Sequence, residues 1–198
     1  MTKICTGASM SLDGYISGPA ETGFEHLFKW YGNGDVAVPT ADPAMTMQMT
    51  AVGAEHFRGI IDSTGAIVVG RKLFDAVGGW GGNHPIGCPV VVMTHSVPDG
   101  WPREDAPSRS SPTASRARSS RPRRSPATRT SASTAARSRA SANAGLLDEI
   151  WIDLVPVLLG GGTPFFDELT GAPVELEGPV SVAEDRDVTH LRYRVRKG

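Results

Sequence analysis

The residues best suited to chemistry follow a short apolar run at positions 66–69, Ala-Ile-Val-Val. Gly70 comes next, and Arg71, Lys72 and a new apolar spacing follow it at once. This order predicts a buried strand that turns directly into a helix. The first N–H groups of a helix point outward and its dipole adds partial positive charge, so a corner with two further cations suits a phosphate. The alternative is a solvated surface junction, because strand–glycine–helix turns are common in α/β proteins.

Two other polar groups follow predicted strands. Asp13 stands in an Asp-Gly turn after the first apolar run, and Thr94, His95 and Ser96 follow the run at 89–93. Ligands of α/β proteins bind beyond the carboxyl ends of strands, so Asp13 could meet a substrate and the second group could hold a ribose or a phosphate. Both groups also have a structural interpretation, since Asp bonds its own turn and hydroxyls cap the turn that follows.

Aromatic and methionine residues are concentrated between positions 20 and 50. Phe24, Leu27, Phe28 and Tyr31 fall at helical spacing, which favours packing in the core. A flat ligand could instead stack on Trp30 or Tyr31. Residues 32–44 are predicted to form a long loop, and long loops inside compact domains are often functional.

The elements that would position these residues alternate between strand and helix patterns. We predict strands at 3–10, 66–69 and 89–93, and a helix over 54–61. Residues 146–159 are predicted to contain the end of a helix and a long strand, and alternation at 180–182 and 191–195 predicts an antiparallel edge hairpin. The sequence therefore indicates an α/β protein.

Length and composition restrict the class of protein further. A chain of 198 residues is long enough for one domain with a sizeable core, so we expect a single domain over 1–198. Two cysteines give no framework of disulfide bridges. No signal peptide and no apolar run of about 18 residues is evident, so we expect a soluble, cytoplasmic protein.

The charge is unevenly distributed along the chain. Of 20 basic and 21 acidic residues, nine basic ones and no acidic one fall within 107–142. The rest of the chain therefore carries a formal charge of −10, from 11 basic and 21 acidic residues. Such an acidic remainder lacks the basic surface that nucleic-acid binding requires.

Residues 107–142 consist only of Pro, Ser, Arg, Thr and Ala. Without any apolar side chain larger than alanine the segment cannot offset its ordering entropy, which predicts a disordered basic insert. The interpretation we favour is that the segment is translated from the wrong reading frame. A shift by one base allows residues 108–114 to read as a strand and turn, and residues 131–137 as a strand followed by a Gly-Gly helix start. An intact mass matching the 20.9 kDa of this sequence would contradict the frame hypothesis.

An ordered set of stretches resembles the dihydrofolate-reductase-like family, in particular the branch containing the reductase domain of riboflavin biosynthesis. The matching stretches are 11–16, 70–74, 90–95 and 144–149, with Pro156 and Gly160–Gly162. The resemblance implies a three-layer α/β fold with a mixed, mostly parallel central sheet, helices on both faces and a C-terminal antiparallel hairpin. It also implies NADPH as hydride donor, a pterin-like or ribosylaminopyrimidine-like substrate, and a homodimer.

The resemblance assigns roles to particular positions. Gly70, Arg71 and Lys72 would hold the cofactor phosphates, with Leu73 beside them in the cofactor site, and Thr94, His95 and Ser96 would hold the adenosine end. Ala8 and Ile16 would border the nicotinamide, and Asp13 would deliver a proton or orient the substrate. Leu73 stands where many relatives have threonine, so one phosphate-binding hydroxyl is absent. No metal is implied.

Three functions remain open from the sequence. The first is an NADPH-dependent reductase of a small heterocycle. The second is a nucleotide- or pterin-binding module without turnover, and the third is an inert domain tethered to nucleic acid by the segment 107–142, which would bind in a strongly salt-dependent way.

Overall fold

A computed structural model describes residues 3–101, 109–111, 130–133, 145–167, 169–170 and 172–197. The strands are β1 (Lys3–Ser11), β2 (Tyr15–Ser17), β3 (Val36–Pro39), β4 (Thr46–Met49), β5 (Thr64–Gly70), β6 (Val90–Met93), β7 (Arg109–Ser111), β8 (Thr130–Ser133), β9 (Glu149–Val155), β10 (Thr163–Pro164), β11 (Leu176–Asp185) and β12 (Val188–Val195). The α-helices are α1 (Phe24–Leu27), α2 (Ala51–Ser63) and α3 (Arg71–Ala76), and 3-10 turns cover Pro19–Glu21, Lys29–Gly32 and Gly78–Gly82. None of these described helices is long and apolar enough to cross a membrane.

Eight of the described strands form one central sheet in the order β11-β12-β9-β1-β8-β5-β6-β7. From β9 to β7 all neighbouring pairs are parallel. β12 runs antiparallel to β9 and to β11, and the last two strands form a hairpin. The predicted mixed, mostly parallel sheet with a C-terminal antiparallel hairpin is therefore confirmed.

Apolar side chains cover both faces of the sheet, because successive residues of a strand point to opposite sides. On one face, Val155 and Val188 pack with α2 and the aromatic region that precedes it: Leu27, Trp30, Val38, Met49, Ala54 and Phe57. On the other face, Ala8 and Ile152 pack with Ile16, Leu147 and Phe165. A third cluster joins α3 to the strands beneath it through Phe74, Ile67, Val69, Val90 and Val92.

The predicted turn from strand to helix at Gly70 is confirmed. β5 ends at Gly70 and α3 begins at Arg71. The helix expected after residue 134 lies outside the described residues.

Two local predictions were wrong. Residues 32–44 are not one long loop, because Val36–Pro39 pairs antiparallel with Thr46–Met49 in a separate two-stranded ribbon. Alternation over 36–38 was too short to reveal this strand. The residues just before β9 are not helical, and β9 ends at Val155, because Pro156 cannot continue the ladder.

Seven residues of the anomalous segment belong to the central sheet. Thr130–Ser133 lies between β1 and β5, and Arg109–Ser111 lies beside β6. The other residues of 107–142 are outside the described part of the chain, so the disordered-insert and reading-frame interpretations both remain predictions. A central position in a parallel sheet normally carries an apolar run, and Thr-Ser-Ala-Ser is not one.

Candidate active site

The polar groups predicted from the sequence lie where neighbouring parallel strands of the sheet end. β1, β5 and β6 share one direction, since β8 is parallel to β1 and β5, and β5 is parallel to β6. Their carboxyl ends therefore lie at the same side of the sheet, where Gly70 ends β5 and where Asp13 and Thr94 follow β1 and β6. In open α/β sheets this side is where ligands bind.

The corner after β5 carries two exposed cations whose charges have acidic partners. Arg71 Nε donates to both carboxylate oxygens of Asp75, at 2.8 and 2.6 Å, and its Nη1 donates to the carbonyl oxygen of Ser96 at 3.2 Å. Lys72 forms an ion pair with Glu21. Exposed ion pairs contribute little to stability, so both cations can exchange a carboxylate for a phosphate at small cost.

The space around Gly70 is open. Its φ of −80° is accessible to any residue, and a Cβ at this position would meet no atom within 4 Å among its described neighbours. Leu73 packs against the cluster beneath α3. The corner therefore offers backbone N–H groups and two cations to an anion, while Leu73 offers no side-chain donor.

The Thr94–Ser96 group forms a compact turn after β6. Thr94 Oγ1 donates to the carbonyl oxygen of Ser96 at 2.6 Å, and Ser96 N–H donates back to Thr94 Oγ1 at 3.3 Å. Thr94 is buried, whereas His95 and Ser96 are exposed. The hydrogen bond from Arg71 joins this turn to the β5–α3 corner, so the two predicted cofactor-binding groups are adjacent.

Asp13 holds a glycine-rich turn in place. Its Oδ1 accepts hydrogen bonds from Ser11 Oγ at 2.6 Å and from the N–H of Leu159 at 3.1 Å. Its Oδ2 accepts from the N–H of Gly160 at 2.7 Å. The hydrogen bond from Ser11, followed by those from the two backbone amides, lowers the pKa of Asp13 from its ordinary value. The side chain is thus a carboxylate near neutral pH, which is unfavourable for a proton donor.

A close backbone approach explains one glycine of that turn. Gly162 has a φ of 120°, and a Cβ there would collide with the carbonyl oxygen of Ser17. Thr163 pairs with Ser17 in the short ladder between β10 and β2. The turn is therefore fixed by Asp13 near its start and by β2 near its end.

The structure places the remaining predicted residues on two different faces. Ala8 and Ile16 both pack against the cluster that contains Leu147 and Phe165. Trp30 and Tyr31 lie on the opposite face, in the cluster that contains Val155 and Phe57. The residues predicted to border the nicotinamide and those predicted to stack on a ligand therefore lie on opposite faces of the sheet.

Trp30 belongs to the core. It is 1% exposed, its Nε1 donates to Ser9 Oγ at 3.1 Å, and its ring centroid lies 4.2 Å from that of Tyr31. Burial, together with the charge of Asp153, raises the pKa of Tyr31 well above its ordinary value. A ligand could stack on Trp30 only after its present neighbours moved, so the packing interpretation accounts better for this residue.

No protein-family model matches the sequence, and no curated protein matches it. A solved structure from Shewanella sp. PV-4, of a protein named for riboflavin biosynthesis, superposes with a TM-score of 0.65 at 18% identity over 99% of this chain and 100% of that one. Dihydrofolate reductase of Enterococcus faecalis, solved with NADP(H), superposes with a TM-score of 0.53 at 12% identity over 98% and 97% of the two chains. This chain has the dihydrofolate-reductase fold. RibD of Acinetobacter baumannii also shares it, with a TM-score of 0.59 at 12% identity, although this chain spans only 58% of that protein.

Within the dihydrofolate-reductase fold of this chain, sequence reasoning missed one polar group. His56, Asp153 and His190 meet in the interior, with one potential ligand atom of each within 4.8 Å of those of the others. They are far apart in sequence, so spacing alone could not connect them. The available signal was Asp153, a charged residue within the otherwise apolar run at 150–155 in β9.

Proposed function

We propose that this protein is an NADPH-dependent reductase of a small heterocyclic substrate, either pterin-like or ribosylaminopyrimidine-like. The observation that supports this most is the assembly of the β5–α3 corner, the Thr94–Ser96 turn and the Asp13 turn at the carboxyl edge of the sheet. The fold is shared with a dihydrofolate reductase that was solved with NADP(H) and with proteins named for riboflavin biosynthesis.

The residues at the edge fit the chemistry of a dinucleotide phosphate. Arg71 and Lys72 supply charge, the first turn of α3 supplies backbone donors, and the open space over Gly70 admits an anion. Thr94, His95 and Ser96 would receive the adenosine end, because Arg71 bridges from the corner to their turn. Leu73 contributes packing beneath the corner rather than a hydrogen bond.

Bound NADPH would supply the hydride. The protein would hold the nicotinamide ring face to face with the substrate ring and exclude water, because hydride transfer depends on both. Ala8 and Ile16 offer apolar surface for the nicotinamide. Asp13 acts as a positioning residue, because its ionised carboxylate fixes the turn at Leu159 and Gly160 rather than carrying a transferable proton.

The second candidate is a nucleotide- or pterin-binding module of the same fold without turnover. Leu73 supports this second candidate, because it has no hydroxyl to bind a phosphate. Only backbone N–H groups and the cations Arg71 and Lys72 remain as phosphate ligands at the β5–α3 corner. The low pKa of Asp13 favours it as well, since this carboxylate is not a proton source near neutral pH.

An oxidation assay separates the two candidates. Purified protein is mixed with NADPH and a panel of pterins and aminopyrimidines, and the loss of reduced nicotinamide is followed by its absorbance. The reductase proposal predicts oxidation that saturates with both NADPH and one member of the panel. NADPH binding without oxidation of any panel member would instead support the binding module.

A further inference from the structure

A row of buried polar side chains crosses three neighbouring strands. Ser9 of β1 is paired in register with Asp153 of β9, and Asp153 is paired with His190 of β12. Residues paired in register point to the same face. His56 of α2 contacts Asp153 in this row. The side chains of His56, Asp153 and His190 are 9%, 13% and 2% exposed.

The distances within this group are short. Asp153 Oδ1 lies 2.7 Å from His190 Nδ1 and 2.9 Å from His56 Nε2. On its other side, His190 Nε2 lies 3.9 Å from Oδ2 of Asp185, whose side chain is 5% exposed. Two imidazoles and two carboxylates from α2, β9, β11 and β12 therefore form one buried cluster, which we call the His56–Asp185 cluster.

Two nitrogens of this cluster lack a hydrogen-bond partner. Among the described residues neither His56 Nε2 nor His190 Nε2 makes a hydrogen bond, although both atoms are fully buried. His56 Nε2 lies within ion-pair distance of Asp153 Oδ1, at 2.9 Å, whereas the carboxylate nearest to His190 Nε2 is that of Asp185, at 3.9 Å. A buried polar atom without a partner is costly, and each such atom in a native structure calls for a missing ligand or another cause.

Within ion-pair distance, the described residues give Asp153 and Asp185 only imidazole partners, and no lysine or arginine. The two imidazole rings stack at 3.8 Å with an angle of 17° between their planes, and a nitrogen of each lies close to Asp153 Oδ1, at 2.9 and 2.7 Å. A divalent cation would supply the buried Asp153 carboxylate with a positive partner that no described lysine or arginine provides.

We propose that His56, Asp153 and His190 form a binding site for one divalent transition-metal ion, with Zn²⁺ as the preferred ion. Two imidazole nitrogens and one carboxylate oxygen are a donor set that zinc accepts, and three protein ligands leave a fourth position for a water molecule or another small ligand. Asp185 faces the other nitrogen of His190 and would orient that ring. Binding requires one of the stacked rings to turn about its Cβ–Cγ bond, a torsion with a broad energy minimum in histidine. The ion would tie α2 to β9 and β12, independently of the proposed reductase activity.

The test uses the full chain without a histidine tag, dialysed against a chelator and then titrated. Zn²⁺ binding is measured by calorimetry, and Co²⁺ binding by its visible absorption, which reports on coordination geometry. We expect one ion per chain and a higher thermal unfolding midpoint in the bound protein, because a ligand of the folded state stabilises it. A wild-type chain that binds neither ion would overturn the proposal.

Matched variants locate the ion. His56→Gln and Asp153→Asn keep side-chain volume, and each should weaken metal binding at least about tenfold. His26→Gln is the control, because His26 is exposed and lies outside the cluster. Unchanged binding in both cluster variants, or loss of binding in the control alone, would contradict the assignment. Circular dichroism of each variant shows whether it folds, and the wild-type titration decides the question if a variant does not.

Discussion

At the scale of single residues, Asp13 shows how a carboxylate can shape the candidate site without reacting. It accepts three hydrogen bonds, one from a serine hydroxyl and two from backbone amides of the turn at Leu159 and Gly160. Hydrogen bonds to an ionised acceptor are stronger than those to a neutral one. The charge on Asp13 therefore helps to keep the turn at Leu159 and Gly160 ordered.

The substitution Asp13→Asn should loosen that turn. An amide offers one acceptor oxygen in place of two and removes the charge, so the amide hydrogens of Leu159 and Gly160 should exchange with solvent faster than in the wild type. Hydrogen exchange measured by mass spectrometry reports this directly. Asp42→Asn serves as the control, because Asp42 makes a similar exposed contact to the N–H of Ala44. Equal exchange at Leu159 and Gly160 in the wild type and in Asp13→Asn would contradict this role.

His84 provides a pH-dependent contribution to stability. Burial lowers its pKa from 6.5 to about 4, and its Nδ1 accepts a hydrogen bond from the N–H of Ile86. On acidification the unfolded chain takes up the proton before the folded chain does, so the free energy of unfolding falls as the pH drops through this window. Because His84 is partly exposed, we expect a loss of roughly 1 to 2 kcal/mol between about pH 7 and about pH 5.

Urea unfolding at the two pH values measures this loss. His84→Gln retains an acceptor but does not titrate, so its free energy of unfolding should fall by less than that of the wild type over the same interval. Identical pH dependence in the two proteins would show that His84 does not contribute.

At the scale of elements, α2 depends on Thr50 at its N-terminus. Thr50 Oγ1 accepts a hydrogen bond from the N–H of Gly53 at 3.0 Å and donates one to Asp185 Oδ2 at 2.6 Å. The hydroxyl thus caps the helix and attaches it to the end of β11. The helix in turn carries Phe57 and Ala54 into the core and His56 into the His56–Asp185 cluster.

Thr50→Ala should destabilise the protein by about 1 to 3 kcal/mol, because it removes the cap and takes one donor from a buried carboxylate. Thr50→Ser keeps the hydroxyl and should remain within about 1 kcal/mol of the wild type. Chemical denaturation of the three proteins provides the comparison. A free energy of unfolding for Thr50→Ala equal to that of Thr50→Ser would rule out the capping contribution.

The elements that could be predicted from sequence are those with a local signal. The corner at Gly70 was predictable because apolar alternation changes there into helical spacing beside a basic pair, and the C-terminal hairpin was predictable from two alternating runs. The ribbon of β3 and β4 was missed because its strands are short and lie outside the central sheet. The His56–Asp185 cluster was missed because the register of β9 and β12, which sequence does not specify, brings its members together.

At the scale of the whole molecule, β11 is the last strand on one side of the central sheet among the described residues. It exposes Leu176, Val180 and Val182 by 39%, 44% and 51%. Edge strands with exposed apolar side chains are suited to association with another chain. The homodimer expected from the sequence resemblance would be consistent with such a surface.

We therefore expect sedimentation analysis to show a dimer that Val182→Lys shifts towards monomer. The added charge would have to be buried in the contact, which is unfavourable. Val97→Lys is the matched control, since Val97 is 43% exposed and follows β6 instead of lying on β11. A wild-type protein that is monomeric at all accessible concentrations would contradict the expectation.

The arrangement of the whole sheet determines where a cofactor would bind. Parallel neighbours bring the ends of β1, β5 and β6 to one edge, and the hydrogen bond from Arg71 to Ser96 connects two of the three groups found there. The central claim is that this edge binds the phosphates of NADPH.

Calorimetric titration with NADPH tests that claim most directly. The titration compares the wild type, Arg71→Glu and the control Arg58→Glu, since Arg58 is exposed on α2. We predict that the wild type and the control bind NADPH and that Arg71→Glu binds it at least about tenfold more weakly, a difference of about 1.4 kcal/mol. A folded wild type that does not bind NADPH, or an Arg71→Glu variant that binds as well as the wild type, would contradict the account.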